Sequence, residues 1–180
     1  MLTIKIADTE YYNEETSQFV SVKERTIDLE HSLVSLSKWE SKWCKPFLGK
    51  DQKTNEELRD YIRCMIIDKN VPDSIIYSFT RKQLDQIMEY IDSKMTATTF
   101  SDSITGPKNK EVITSEIIYY WMISLNIPFE CQKWHLNRLL TLVRVCSIKN
   151  APPKKMGRNT ILSRNAQLNA ARKQQLNTRG

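Results

Sequence analysis

The stretch PFECQKWHLNRLLTLVRVC, residues 128–146, decides how this chain is read. It sets Cys131 and His135 four residues apart, adds Trp134, Arg138 and Arg144, and fills much of the rest with Leu and Val. As chemistry it would be a metal or nucleophile centre; as packing it would be a helix covered by other protein. Positions i and i+4 share a helical face, so Cys131 and His135 make half a zinc site. The remaining ligand candidates, Cys146, Cys64 and His31, lack ligand spacing, and Cys146 would lie about 22 Å further along the same helix. A Cys–His nucleophile needs an orienting third group and an oxyanion loop, and neither is recognisable. The packing reading is preferred.

Immediately upstream, TSEIIYYWMISLN is also helical in pattern, and only Asn126-Ile127-Pro128 separates it from a second helix beginning at Phe129. Pro is suited to a first helical turn, and so short a connection predicts an antiparallel αα-hairpin. The second helix is apolar nearly all round, with Asn137, Arg138, Thr141 and Arg144 as its polar strip. Such a helix is covered on most sides, either by its own domain or by a second chain. Trp and Arg concentrate binding energy at interfaces, so Trp121, Trp134, Arg138 and Arg144 are candidate partner-binding residues.

Further out, three more helices are expected. Leu33, Leu36, Trp39 and Trp43 fall on one helical face that Pro46 ends. Thr54 with Glu57, and Thr80 with Gln83, match capping boxes, in which the hydroxyl accepts from the third backbone N–H and the longer side chain returns to the cap. Leu58, Ile62 and Met65 or Ile66 make the inward stripe of the first, and Leu84, Ile87, Met88 and Ile91 that of the second. Residues 1–31 change period. LTIKI reads as a strand, Ile27 and Leu29 alternate with Thr26, Asp28 and Glu30, and DTEYYNEETS between them reads as a polar turn, so a β-hairpin or small meander is predicted. TATTFSDSITGPKNK reads as a surface loop.

Charge divides the chain unevenly. The net +6 comes from 27 Lys and Arg against 21 Asp and Glu, yet residues 151–180 hold seven of the basic residues and no acid. The rest of the chain is therefore close to neutral, with 20 basic residues against 21 acidic. Lys154, Lys155, Arg158, Arg164, Arg172 and Lys173 make the tail a second candidate partner-binding region. Ile161, Leu162, Leu168 and Ala171 give it a thin apolar face, suited to a helix that orders on a partner. Phosphate contacts would need only the charges. No Phe, Trp or Tyr follows residue 150 to stack on bases, so a protein partner is preferred to nucleic acid.

The four cysteines are scattered without a CxxC pair, and four glycines leave no phosphate-cradling loop. With two histidines and no telling carboxylate pair, no cofactor, metal or catalytic residue is assigned. No apolar run is long enough for a membrane span, and the first residues lack the order of a secretory signal. A cytoplasmic protein is expected.

The run ITSEIIYYWMISLNIPFECQKWHLNRLLTLVRVCSIKN, residues 113–150, resembles the helical hairpin of tail assembly chaperones of long-tailed bacteriophages, small proteins encoded near the tape measure protein. Glu116, Tyr119 and Trp121 match its first helix, Ile127-Pro128-Phe129 its turn, and Trp134, Leu139, Leu140 and Arg144 its second helix. The arm KKMGRNTILSRNAQLNAARKQQ is similar to tails of such proteins. The resemblance implies a non-catalytic protein that coats the tape measure protein, helps recruit tail-tube subunits and leaves before the virion is complete.

The expected architecture is mainly α within an α+β class. A β-hairpin or meander over 1–31 precedes a bundle of about five helices over 32–150, ending in the αα-hairpin, and a basic arm follows over 151–180. The expected function is assembly chaperone, with a structural virion protein (connector or minor tail) as the alternative and a nucleic-acid-binding accessory factor third. Tape measure and tail-tube proteins are the partners the resemblance implies, and a homo-oligomer is compatible with the apolar hairpin.

Overall fold

A computed structural model describes residues 1–13, 17–100, 112–152 and 157–177. It shows an α+β chain that opens with paired strands and continues as helices. Four short strands form two antiparallel pairs that follow one another as a ribbon with a break. β1 (Leu2–Ile6) pairs with β4 (Arg25–Leu29), and β2 (Thr9–Asn13) with β3 (Gln18–Val22). Ile6 faces Arg25 and Thr9 faces Val22, so both strands step over two residues and the register continues across the break. An ion pair of Lys5 with Glu24 (2.5 Å) and a bond from the Glu24 N–H to the Asp8 carboxylate close that step. The polar run expected as a turn is thus strand over its first half, since Thr and Tyr suit the pleat when a paired register supports them.

Side chains alternate across the ribbon. Ile4, Ile6, Ile27 and Leu29 are buried on one face, while Thr3 and Asp28 bond to each other on the opposite one (2.6 Å). The outer edge of β4 is also used. The Glu30 N–H donates to the Met65 carbonyl (2.9 Å) and the Ile67 N–H to the Asp28 carbonyl (3.0 Å), so the chain leaving the second helix covers a strand edge that would otherwise be open to pairing.

Helix α1 (Leu33–Trp43) begins with a reciprocal cap between Ser32 and Ser35 and buries Leu33, Leu36 and Trp39, with Trp43 half-buried, as its spacing predicted. α2 (Asn55–Met65) and α3 (Arg81–Asp92) open with the Thr54–Glu57 and Thr80–Gln83 capping boxes read from sequence. Indole N–H groups tie α1 to α2, Trp39 to the Glu57 carbonyl and Trp43 to the Asp60 carboxylate, both at 2.8 Å. On α3, Ile87 is buried but Met88 is exposed, so the inward stripe is narrower than expected. A 3-10 turn over Asp73–Tyr77 joins α2 to α3. Much of the expected loop at 96–110 lies outside the described residues.

Helix α4 (Ser115–Ser124) is where expected, but its successor is not. Phe129–Lys133 forms a separate 3-10 turn, Trp134 is extended, and α5 (Leu136–Asn150) starts only afterwards. Pro128 opens the 3-10 turn rather than the helix, so the connection runs from Leu125 to His135. Cys131 therefore sits on the 3-10 turn and His135 just before α5, and the one-helix face that would have paired them does not exist. Helix α1 packs against both α4 and the 3-10 turn.

The chain divides into two units, Met1–Ile148 and Lys149–Gly180. The first holds a continuous apolar core drawing on ribbon and helices. The second contains α6 (Arg158–Leu176), on which no residue is buried.

Candidate protein-binding surfaces

From Ile117 to Ile123 helix α4 is apolar on every side, with Glu116 exposed one turn before Tyr120. Ile118 and Met122 are fully buried, and Tyr119 and Trp121 are half-buried against the core. Tyr120 and Ile123, one turn apart, stay 66% and 61% exposed. Phe129, exposed on the following 3-10 turn, lies against Tyr119 with ring centroids 6.4 Å apart. The start of the helix is fixed from outside, because its own cap Thr114 makes no side-chain cap bond to a backbone N–H of the first turn. The Glu40 carboxylate from α1 takes that place, accepting from Ser115 N–H at 2.7 Å and from Phe47 N–H at 2.9 Å. An apolar surface held this rigidly loses little conformational entropy when a second chain covers it.

The predicted partner-binding residues of this half divide between core and surface. Trp121 and Trp134 both pack against the core and are half-buried. The Arg138 guanidinium lies 4.2 Å from the Trp134 ring centre, and that of Arg144 lies 4.0 Å from the Phe100 ring. Both arginines are exposed and use their planar groups within the chain as cation–π lids. The structure thus brings Trp134 and Arg138 together and sets Arg144 apart with Phe100, a partner the sequence did not suggest.

In the tail, Arg158, Arg164, Arg172 and Lys173 all lie on α6, while Lys154 and Lys155 fall outside the described residues. A third surface had no sequence reading. Tyr12 and Phe19 oppose each other across β2 and β3, in edge contact at 5.2 Å, and both are exposed.

Sequence reasoning also missed the meeting of the two histidines. A bridge between Ser32 and His135, with the Leu136 N–H donating to the His31 carbonyl at 2.7 Å, lays the end of the ribbon beside the start of α5. The rings of His31 and His135 then stand 5.1 Å apart, both buried. His31 Nδ1 is hydrogen-bonded to the Tyr61 hydroxyl at 2.5 Å. His135 donates from Nε2 to the Tyr90 carbonyl (2.9 Å) and accepts at Nδ1 from the Asn137 N–H (3.3 Å), which only the neutral ring can do. Burial, with His135 alongside, lowers the His31 imidazole to about 3. Burial lowers His135 as well, against the pull of its bond to Tyr90. The two phenols are pushed well above their usual value, chiefly by burial.

Chemically, this cluster is matched to neutrality. A proton-transfer group works best with its titration near ambient pH, and a buried imidazole at about 3 holds no proton there. The arrangement fastens the ribbon to α2, α3 and α5. Among the described residues, no group of three or more His, Cys, Asp or Glu side chains is placed to hold a metal ion, and no helix is long and apolar enough to cross a membrane.

No family model matches this chain, and neither a curated protein nor a solved structure matches it.

Proposed function

We propose that the protein is a non-catalytic assembly factor that works by covering apolar surface on other proteins. The observation that carries this reading is the outward side of α4, where Tyr120 and Ile123 stand exposed beyond Glu116 on a helix whose start is fixed by Glu40. Monomeric proteins seldom leave large side chains clustered in water, and such clusters mark interaction sites. A helix laid across that side would bury them, the mode by which apolar helices are recognised in grooves and on helix faces.

Combined with the resemblance of residues 113–150 to phage tail assembly chaperones, the specific form of the proposal is a chaperone of the tape measure protein. It shields that protein's apolar helices until tail-tube subunits replace it, and the basic helix α6 supplies a second contact. Co-expression with a tape measure protein tests this. The expected result is a soluble partner that co-purifies with the chain, and a Tyr120→Ser/Ile123→Ser variant that loses both effects. An insoluble partner and no co-purification would overturn the reading. Stoichiometric recovery of the chain in purified mature particles would favour a structural virion protein instead.

A further inference from the structure

We infer that α6 binds along one side only, and that what it fits is an acidic amphipathic helix of a partner protein. This rests on the reading that the chain acts on proteins.

At about 100° per residue, Ile161, Leu168 and Arg172 fall in one narrow sector of the helix, with Arg158, Leu162 and Leu176 beside them. Arg164 and Lys173 mark the two limits of that half. The opposite half holds only small or uncharged residues, Thr160, Ser163, Ala166, Gln167, Ala170 and Gln174 among them. Every cation and every large apolar residue of α6 therefore shares one side, and none of its residues is buried. A reading of apolarity alone sees only a thin stripe, because the charges interrupt it.

That mixture selects among partners. A phosphate backbone would use the cations and leave Ile161 and Leu168 without a role. A membrane-surface helix keeps its cations opposite its apolar side, whereas here burying Leu168 in acyl chains would take Arg172 down with it. A second copy of α6 would set Arg against Arg, since residues 151–180 contain no carboxylate. A helix with Leu or Ile along its contact line and Glu or Asp at the flanks satisfies both components. Ile161 and Leu168 are one heptad apart, and Arg158 and Arg172 two heptads apart, so the cations run beside the apolar seam as flanking charges do in helix pairs.

The test uses the full chain and a synthetic helical peptide with Leu in the seam and Glu at the flanks. A control peptide carries Lys in place of Glu, and a DNA duplex of similar length serves as the phosphate probe. Binding is read by fluorescence anisotropy at physiological salt. The chain is expected to bind the acidic peptide in preference to both other probes. Ile161→Gln/Leu168→Gln and Arg158→Gln/Arg172→Gln should each weaken that binding about tenfold or more, and Ala166→Gln/Ala170→Gln on the other side less than about twofold. No binding of the acidic peptide, equal binding of the two peptides, or DNA binding that the seam variant leaves untouched would each overturn the inference. If the variants fail to discriminate while tape measure rescue persists, the assignment of α6 falls and the proposed function stands. If the peptide result holds and rescue fails, the reverse is true.

Discussion

Glu40 on α1 accepts a hydrogen bond from the backbone N–H of Ser115, 75 residues later, at 2.7 Å, and so caps a helix to which it does not belong. The same carboxylate holds Phe47 N–H at 2.9 Å, and the side chain is buried. One residue thereby fixes both the exit from α1 and the entry to α4. Glu40→Ala leaves one buried donor (Ser115 N–H) and one half-buried donor (Phe47 N–H) without their acceptor and should destabilise the protein by about 2–3 kcal/mol. Glu40→Gln, which keeps one acceptor oxygen, should cost about half as much. Urea unfolding midpoints measure the difference, and equal midpoints for all three chains would exclude the trans-cap.

Acid should weaken the fold before the carboxylates titrate. His31 is lowered from 6.5 to about 3 in the folded chain, so between those values the unfolded state binds the extra proton. Stability from the neutral ring is then complete above about pH 6.5 and is lost progressively as pH falls toward 3, at up to about 1.4 kcal/mol per unit. A His31→Phe/Tyr61→Phe variant removes the ring and its buried hydroxyl partner together. Its unfolding midpoint should fall less between pH 7 and pH 5 than that of the native chain, with the residual slope carried by His135. Parallel pH profiles for the two proteins would contradict this.

Cys44 ends α1 with φ of 51°, in the left-handed region where glycine is at ease and a side chain is not. Cys44→Gly should relieve the strain and, after the greater freedom of the unfolded chain is subtracted, stabilise by about 0.5–1 kcal/mol. Thermal denaturation checks it, and a lowered midpoint would mean that the thiol has a packing role.

Removing residues 151–180, α6 included, should leave the first unit intact. A chain ending at Asn150 keeps every buried residue of the core, so its far-UV signal per residue and its unfolding midpoint should match those of the full chain once the contribution of α6 is allowed for. Collapse of the truncated chain would place α6 in the fold.

What could be read from sequence was what depends on near neighbours. Thr54 with Glu57 and Thr80 with Gln83 announce helix starts because cap and third residue satisfy each other within one turn. The start of α1 lacked that signal because Ser35 stands where the pattern expects Glu or Gln, although its hydroxyl makes the same return bond. The start of α5 was misplaced because Pro128 suits the first turn of either helix type, and nothing local tells a 3-10 turn from an α-helix. The histidines were beyond reach for a different reason. Their meeting depends on backbone pairing of Ser32 with His135 across the fold, and no periodicity records such a contact. Of the proposed surfaces, the basic helix was legible as charge, whereas the outward side of α4 was marked only by Glu116, since the unbroken apolar run Ile117–Ile123 gives no period that tells core from water.

The matched two-residue step at Ala7-Asp8 and Lys23-Glu24 makes the ribbon modular. Since β1 and β4 deliver Ile4, Ile6, Ile27 and Leu29 to the core and Val22 is the buried residue of β3, equal insertions or deletions beyond the Thr9–Val22 pair would change the reach of the ribbon without rotating those anchors. The segment from Glu10 to Ser21 is thus a natural splice point, where a foreign hairpin of compatible pairing could be grafted and displayed while Val22 and the helices keep their frame.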